Sequence, residues 1–268
     1  MNARITVGIP FYQGSNSEHF RTAVDSILSQ ELLPTEIILI QDGPVSRDLE
    51  NLVKDYTTTF PFIKHELIPE NLGLAHGLNL SILKTTTEYY ARMDADDIAH
   101  PERLKKQLDF LENHLEIDIL GTWAIEFEEC PISRQGITRK PPIDETHIYS
   151  MIHYQNPLIH PSVMFRRAVF AKIGLYDLFK TDYVEDLELW GRAIRMKIGM
   201  ANMPEVLMYY RNTGVLKRRS NLKRVLNMAR IRYRYNTWSP NLNILKILSI
   251  IFPLLPIYIQ VWGYKKFK

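Results

Sequence analysis

The chain alternates short apolar runs with longer amphipathic ones. Ile5-Thr6-Val7-Gly8-Ile9 is an unbroken run that reads as a strand, with Pro10 expected to stop it and Phe11 to Asn16 expected as a loop. From Glu18 to Gln30 the residues Phe20, Val24, Ile27 and Leu28 fall on one helical face, and Ser17 stands in a capping position. Pro34 introduces a second strand, Glu36 to Gln41, closed by Asp42-Gly43-Pro44. A helix from about Ser46 to Tyr56 follows, then a strand from Ile63 to Leu67. The turn Asn71-Leu72-Gly73-Leu74 opens a helix through Leu83, and Tyr89 to Met93 makes a fourth strand. This alternation implies right-handed crossovers and an α/β fold with a mostly parallel sheet flanked by helices.

The second half is less regular. Pro101 to His114 predicts a helix burying Leu104, Leu108 and Leu111, and Ile117 to Trp123 predicts a strand. Glu126 to Pro142 is polar and proline-bearing, which suits a loop, an edge hairpin or a mobile flap. Asp144 to Tyr154 reads as a helix, Gln155 to Pro161 as a proline-fixed loop, Ser162 to Phe165 as a strand and Ala168 to Ile173 as a short helix. A further helix starts at Glu185-Asp186 and ends near Lys197, with Leu187, Trp190 and Ile194 spaced for its buried face. Strands around Met200–Met203 and Val206–Tyr210 complete the body. Leu216 to Arg234 reads as a basic helix with apolar positions at Leu222, Val225, Leu226 and Ile231.

Charge changes this picture. The net +3 hides an asymmetry: no Asp or Glu follows Glu205, while 13 Lys and Arg do. The first 205 residues carry 20 basic against 30 acidic side chains, so a body near −10 precedes a tail of +13. A tail of that kind is expected to meet an anionic surface. After Lys246 an apolar run of 17 residues reaches Gly263 and contains two prolines. A membrane span needs ~20 apolar residues. The run is therefore expected to lie in a membrane interface, with Trp238, Tyr258, Trp262 and Tyr264 near headgroup level, or else to pack on the body. Nucleic acid is not expected as a partner, because the apolar run has no use there. A chain of 268 residues, 46% hydrophobic and 24% charged, suits one substantial core with an appendage. The single cysteine, Cys130, excludes an internal disulfide and a cysteine zinc site, and suits a reducing compartment. The first strand follows Met1 to Arg4 directly, so no signal peptide is expected.

The candidate chemistry is concentrated in Tyr89-Tyr90-Ala91-Arg92-Met93-Asp94-Ala95-Asp96-Asp97, a buried strand ending in three carboxylates. Asp94 and Asp96 are spaced to converge on one hard cation such as magnesium or manganese, which takes oxygen ligands and shares them with a phosphate. The same run also suits a solvated loop capping the helix that begins at Pro101. Pro10-Phe11-Tyr12, Asp42-Gly43 and Asp94-Ala95-Asp96 each follow the carboxyl end of a strand, and in an open α/β sheet such places face one crevice. There Asp42 is positioned to accept hydrogen bonds from a base or ribose. Glu185-Asp186 stands at a helix start, where a carboxylate also serves as an ordinary cap. Clustered aspartates occur in phosphotransferases too, but those usually place the nucleophile after the first strand, where this chain has Pro10-Phe11-Tyr12. A non-enzymatic protein that binds a nucleotide sugar on the fold of the family resembled below is a further alternative.

Taken together, Ile9-Pro10-Phe11-Tyr12, Ile40-Gln41-Asp42-Gly43, Asn71-Leu72-Gly73-Leu74-Ala75, Met93-Asp94-Ala95-Asp96-Asp97 and Glu185-Asp186-Leu187-Glu188-Leu189-Trp190 resemble family 2 glycosyltransferases of the GT-A fold. The resemblance covers about residues 3–212. Gln41-Asp42-Gly43-Pro44 departs from the family's common Asp-Asp-Gly-Ser. The resemblance implies inverting transfer of a hexose or N-acetylhexosamine from a nucleotide diphosphate sugar, often UDP-linked, with Mn2+ or Mg2+ as cofactor. Pro10, Phe11, Tyr12, Asp42, Asn71 and Ala95 would line the nucleotide. Asp94 would contact ribose or metal, Asp96 would ligate the metal, and Asp186 would be the catalytic base. Glu185, His160 and Trp190 would shape the acceptor side. Residues 1–215 would form the catalytic domain, with 1–97 the nucleotide-sugar half and 98–215 the acceptor half. Residues 216–268 would attach it, peripherally, to the cytoplasmic face of the cell membrane, where a lipid-linked saccharide is the expected acceptor.

Overall fold

A computed structural model describes residues 4–128, 136–178, 184–212 and 222–266. Among these, nine strands form one sheet in the order β3-β2-β1-β4-β8-β6-β9-β5, with β7 paired to β6. Strands β1 (Ile5–Tyr12), β2 (Glu36–Asp42), β3 (Ile63–Ile68) and β4 (Tyr89–Arg92) run parallel. Helices α1 (Ser17–Leu28), α2 (Arg47–Thr59) and α3 (Leu74–Lys84) connect them, the crossover pattern that parallel strands require. The second half adds β5 (Ile98–Ala99), α4 (Arg103–Asn113), β6 (Ile119–Phe127), β7 (Ile137–Arg139) and α5 (Glu145–Met151). Then come β8 (Met164–Arg166), α6 (Val169–Ile173), α7 (Glu185–Arg195) and β9 (Met200–Arg211). β8 is antiparallel to both β4 and β6, whereas β6 and β9 are parallel.

Period-2 alternation along the strands divides the apolar side chains between two cores. Tyr89, Leu120 and Met164 join α1, α2 and α4 on one face; Tyr90, Ile119 and Phe165 join α6 and α7 on the other. The second core also takes in the tail. Helix α8 (Leu222–Tyr233) places Met228 and Ile231 there, with Tyr235 just beyond its end, beside Leu187 and Trp190 of α7. Helices α9 (Pro240–Ile251) and α10 (Ile257–Lys266) follow, separated at Pro253 and Pro256 by a single 3-10 turn.

The differences from the sequence-based expectation have local causes. β1 continues through Pro10 because its pairing with β4 ends at Gly8, so Pro10 has a strand neighbour only on the β2 side, where it stands opposite Ile40. Asn16, not Ser17, caps α1, its side-chain oxygen accepting from the N–H groups of Glu18 and His19. The two strands expected on either side of Pro204 are one: opposite Thr122 and Trp123 the register jumps from Met203 to Val206, so Pro204 and Glu205 bulge out of the ladder. The polar stretch after Glu126 contains an edge hairpin, β6–β7, and its residues 129–135, including Cys130, lie outside the described residues. So do residues 216–221 of the expected basic helix.

Candidate active site

β4 is buried along its length, and the chain leaves it with Asp94, Asp96 and Asp97 beyond the sheet's carboxyl edge. Two arginines fix this turn. Arg103, wholly buried at the start of α4, donates from Nη2 to the Arg92 carbonyl at 2.8 Å and from Nε to Gln107 Oε1 at 3.1 Å. Burial, and then the neighbouring Arg92 charge, lower its pKa to about 9. Arg211, at the end of β9, donates its backbone N–H to Asp97 Oδ1 at 2.7 Å and its Nε to the Asp96 carbonyl at 2.8 Å. Held between α4 and β9, the three aspartates converge: one oxygen from each lies within 4.8 Å of the others. Asp96 is raised to about 6 by burial and then by the charge of Asp94; Asp97 is raised well above the carboxylate range by burial, Asp94 and Asp96. Asp97 Oδ2 is buried and finds no hydrogen-bond partner among the described residues. An all-oxygen set with excess negative charge and an unsatisfied buried oxygen fits a hard divalent cation.

A second acidic group opens α7. Asp186 Oδ1 accepts the Leu187 N–H at 2.7 Å, and Oδ2 accepts a hydrogen bond from Asn156 Nδ2. Burial raises Asp186; the Leu187 N–H, Arg224, Asn156 and Arg92 oppose that rise. Glu185, next to it, is pushed up to about 7 by burial and then by the charge of Asp186. Burial thus raises both adjacent carboxyls, and the charge of Asp186 adds to the rise of Glu185.

Arg92 joins the two groups. Its guanidinium is 2% exposed and grips Asp94 with both ends of its fork, Nη1 to Oδ2 at 2.8 Å and Nη2 to Oδ1 at 2.5 Å. The same cation acts electrostatically on Asp96, Asp97, Glu185 and Asp186, and the charge of Asp94 is felt at Glu185. Asp94, which Arg92 grips, and Asp186, which its charge reaches, are 92 positions apart in sequence.

The other expected residues divide. Tyr12 is 49% exposed at the end of β1, and Asn71 is exposed on the loop before α3. Gly43, at φ +82°, brings β2's end against that loop, where a Cβ would come within 2.7 Å of the Asn71 nitrogen. Asp42 is buried and takes the N–H groups of Leu72 and Gly73 at 2.8 Å each, so its carboxylate is already engaged in holding that loop. Ala95 is buried within the turn. Phe11 corrects its expected role: its ring is in the core, 4.8 Å from Phe20, because residue parity on β1 turns it inward. Trp190 is likewise corrected. It is 0% exposed, stacked on Phe165 in the second core, and cannot touch an acceptor. His160 is 8% exposed; its Nε2 pairs with the Tyr176 hydroxyl at 2.8 Å and its ring meets Trp190 edge-on. Burial, and then Arg92, hold its pKa well below the usual histidine value, so it packs as a neutral ring behind the site.

Sequence reasoning missed Arg92, Asn156, Arg103 and Arg211. The signal for Arg92 was a lone cation inside an apolar strand, and that for Arg103 was the Pro-x-Arg-Leu run. Nothing in the local pattern distinguishes Arg211 or Asn156.

Residues 6–174 match glycosyl transferase family 2, more than half of the chain. The chain belongs to that family. It is a family 2 glycosyltransferase and is similar to the amylovoran biosynthesis glycosyltransferase AmsE of Erwinia amylovora, at 33% identity over 77% of this chain and 75% of that one. It is also similar to an Escherichia coli UDP-Gal:alpha-D-GlcNAc-diphosphoundecaprenol beta-1,3-galactosyltransferase, at 29% identity over 91% of this chain and 89% of that one. Among solved structures, S. aureus TarS 1-349 in complex with UDP-GlcNAc superposes with a TM-score of 0.67 at 16% identity, covering 98% of this chain and 76% of that one. A mannosyltransferase from Pyrobaculum calidifontis, in complex with GDP-Man and Mn2+, gives 0.65 at 15% identity over 99% and 74%. At such identities these structures establish the GT-A fold of this glycosyltransferase and nothing finer.

Proposed function

We propose that this family 2 glycosyltransferase is an inverting enzyme that moves a hexose or N-acetylhexosamine from a UDP-sugar to a hydroxyl of a lipid-linked saccharide, in the synthesis of a bacterial surface polysaccharide. The observation that carries this reading is the pairing of two acidic groups around Arg92. The Escherichia coli relative, which uses UDP-Gal and a GlcNAc-diphosphoundecaprenol, supports the donor and acceptor class, and the amylovoran relative supports the polysaccharide setting. Pro10, Tyr12, Asp42, Asn71 and the backbone at Phe11 and Ala95 line the nucleotide side. Asp94 and Asp96 would hold Mn2+ or Mg2+, and Arg92 fixes the orientation of Asp94 for that task. When bound, the cation stabilises the charge that develops on the departing diphosphate.

On the other side an alcohol must lose its proton as it attacks, and a positioned carboxylate takes it. Asp186 is given that role: Leu187 N–H and Asn156 hold its two oxygens in a fixed orientation. Glu185 stands beside it, protonated up to about pH 7, suited to hydrogen-bond an acceptor oxygen. The enzyme works peripherally at the cytoplasmic face of the membrane, with the tail against the lipid. The test is a donor screen: full-length protein, Mn2+ and a panel of nucleotide sugars, with released UDP and GDP measured. UDP release restricted to UDP-sugars and lost on chelation is the expected result. GDP release alone, or release indifferent to chelator, contradicts it.

A further inference from the structure

The acid pair at the start of α7 lies beyond the family match, which ends at residue 174, and so does the tail helix packed against it. α8 and α7 meet closely. The Tyr235 ring lies over Gly191, where a Cβ would come within 2.0 Å of it, and the Tyr235 hydroxyl donates to the Glu188 carbonyl at 3.4 Å. Arg195 stacks over the same ring at 5.3 Å. Along α8, Met228 and Ile231 are buried against α7, in the same cluster as Leu187 and Trp190. Arg224 stands four positions before Met228 and seven before Ile231, and is therefore on the same helical face. Arg224 is half-buried on that face and interacts electrostatically with Glu185 and Asp186 at the start of α7.

We propose that Arg224 is a positioning residue for the acid pair, contributed by the tail, and that it selects Asp186 over Glu185 as the carboxyl that carries the charge. This rests on reading Asp186 as the base. Asp186 is faced by Glu185 and the Leu187 N–H from its own helix, by Asn156 and Arg92 from the body, by Tyr176, and by Arg224 from α8. Arg224 counts both acids among its electrostatic partners, together with Tyr210. Arg92 is shared with the aspartates of the turn after β4, whereas Arg224 comes from the tail alone. The tail is then part of the catalytic unit as well as an attachment: whatever displaces α8 alters the protonation of the base.

The proposal is tested without any substrate by following aspartate carboxyls in the full chain labelled with 13C at Cγ. The Asp186 signal is the one missing from Asp186→Asn. Arg224→Met keeps the apolar stem and removes the charge; Arg224→Gln is a second neutral variant, and Arg224→Lys restores a cation. The Asp186 midpoint is expected to rise by about one pH unit in either neutral variant, the effect of losing one nearby opposite charge, and to return towards wild type in Arg224→Lys. A midpoint that stays put in a folded neutral variant overturns the proposal, even if thermal stability falls, since that is what a merely structural arginine does. The two readings fail separately. UDP release that survives in Asp186→Asn removes the base assignment. Loss of release in Asp186→Asn with an unmoved midpoint in Arg224→Met removes only the role of Arg224.

Discussion

At the scale of single residues, the two acidic groups are distinguished by what surrounds them. Asp96 sits with Asp94 and Asp97 and is raised to about 6, a state that a bound cation relieves. Asp96→Asn should therefore weaken Mn2+-dependent UDP binding about 10- to 100-fold, measured by calorimetry with and without chelator; equal binding in both conditions for wild type and variant would contradict the metal role. Glu185 behaves differently. Its folded value of about 7 stands above an ordinary 4.5, so between those values the folded chain keeps a proton that the unfolded chain has released. Stability from this group is lost as pH rises through that window. Asp186 and Asp94 favour the proton on Glu185 and Arg92 opposes it. Glu185→Gln no longer titrates, so its Tm relative to wild type should climb from about pH 5 to about pH 7.5. A pH-independent difference would show that Glu185 is ionised throughout. The acids were legible in the sequence as short motifs at strand and helix ends. Their common cation was not, because Arg92 reads as one polar position in an apolar strand and its partners lie on other elements.

At the scale of elements, the parallel strands and their crossover helices were readable because period-2 and period-3.6 patterns alternate cleanly through residue 93. The second half was harder. β5 is two residues long and exists through pairing with Met208 and Tyr209, a tertiary fact with no local signal. β9 was divided by its proline because a bulge and a strand end look alike in sequence. Trp190 was misjudged for a related reason: motif neighbourhood says which residues are near a site along the chain, not which way a helix turns them. The α7–α8 contact is the element on which the acid pair depends most. Gly191→Ala places a methyl in the Tyr235 ring and should destabilise the protein by about 1–3 kcal/mol, with earlier proteolysis of the tail. An unchanged denaturation midpoint and cleavage pattern would mean that α8 is not seated there.

At the scale of the molecule, the tail is turned outward in an unusual sense. On α9 the residues Ile244, Leu245, Ile247, Leu248 and Ile251 are exposed, while Lys246 is 1% exposed and donates from Nζ to the Tyr235 carbonyl at 2.8 Å. Trp238, Tyr258 and Trp262 are exposed as well. Among the described residues no helix is long and apolar enough to cross a membrane. An apolar outer face on a tail that has no acidic residue after Glu205 suits the plane of an anionic bilayer. The full chain is expected to float with phosphatidylglycerol vesicles, and Leu248→Glu with Ile251→Glu to remain behind while keeping UDP binding; equal flotation of both would place the lipid contact elsewhere. The central claim, that a cation-held diphosphate and a carboxylate base flank one sugar, is tested most directly by comparing wild type with Asp186→Asn. UDP affinity in the presence of Mn2+ should agree within about twofold, while UDP release from the accepted UDP-sugar falls by about 1,000-fold or more. Release at the wild-type rate, or loss of UDP binding together with activity, would contradict it.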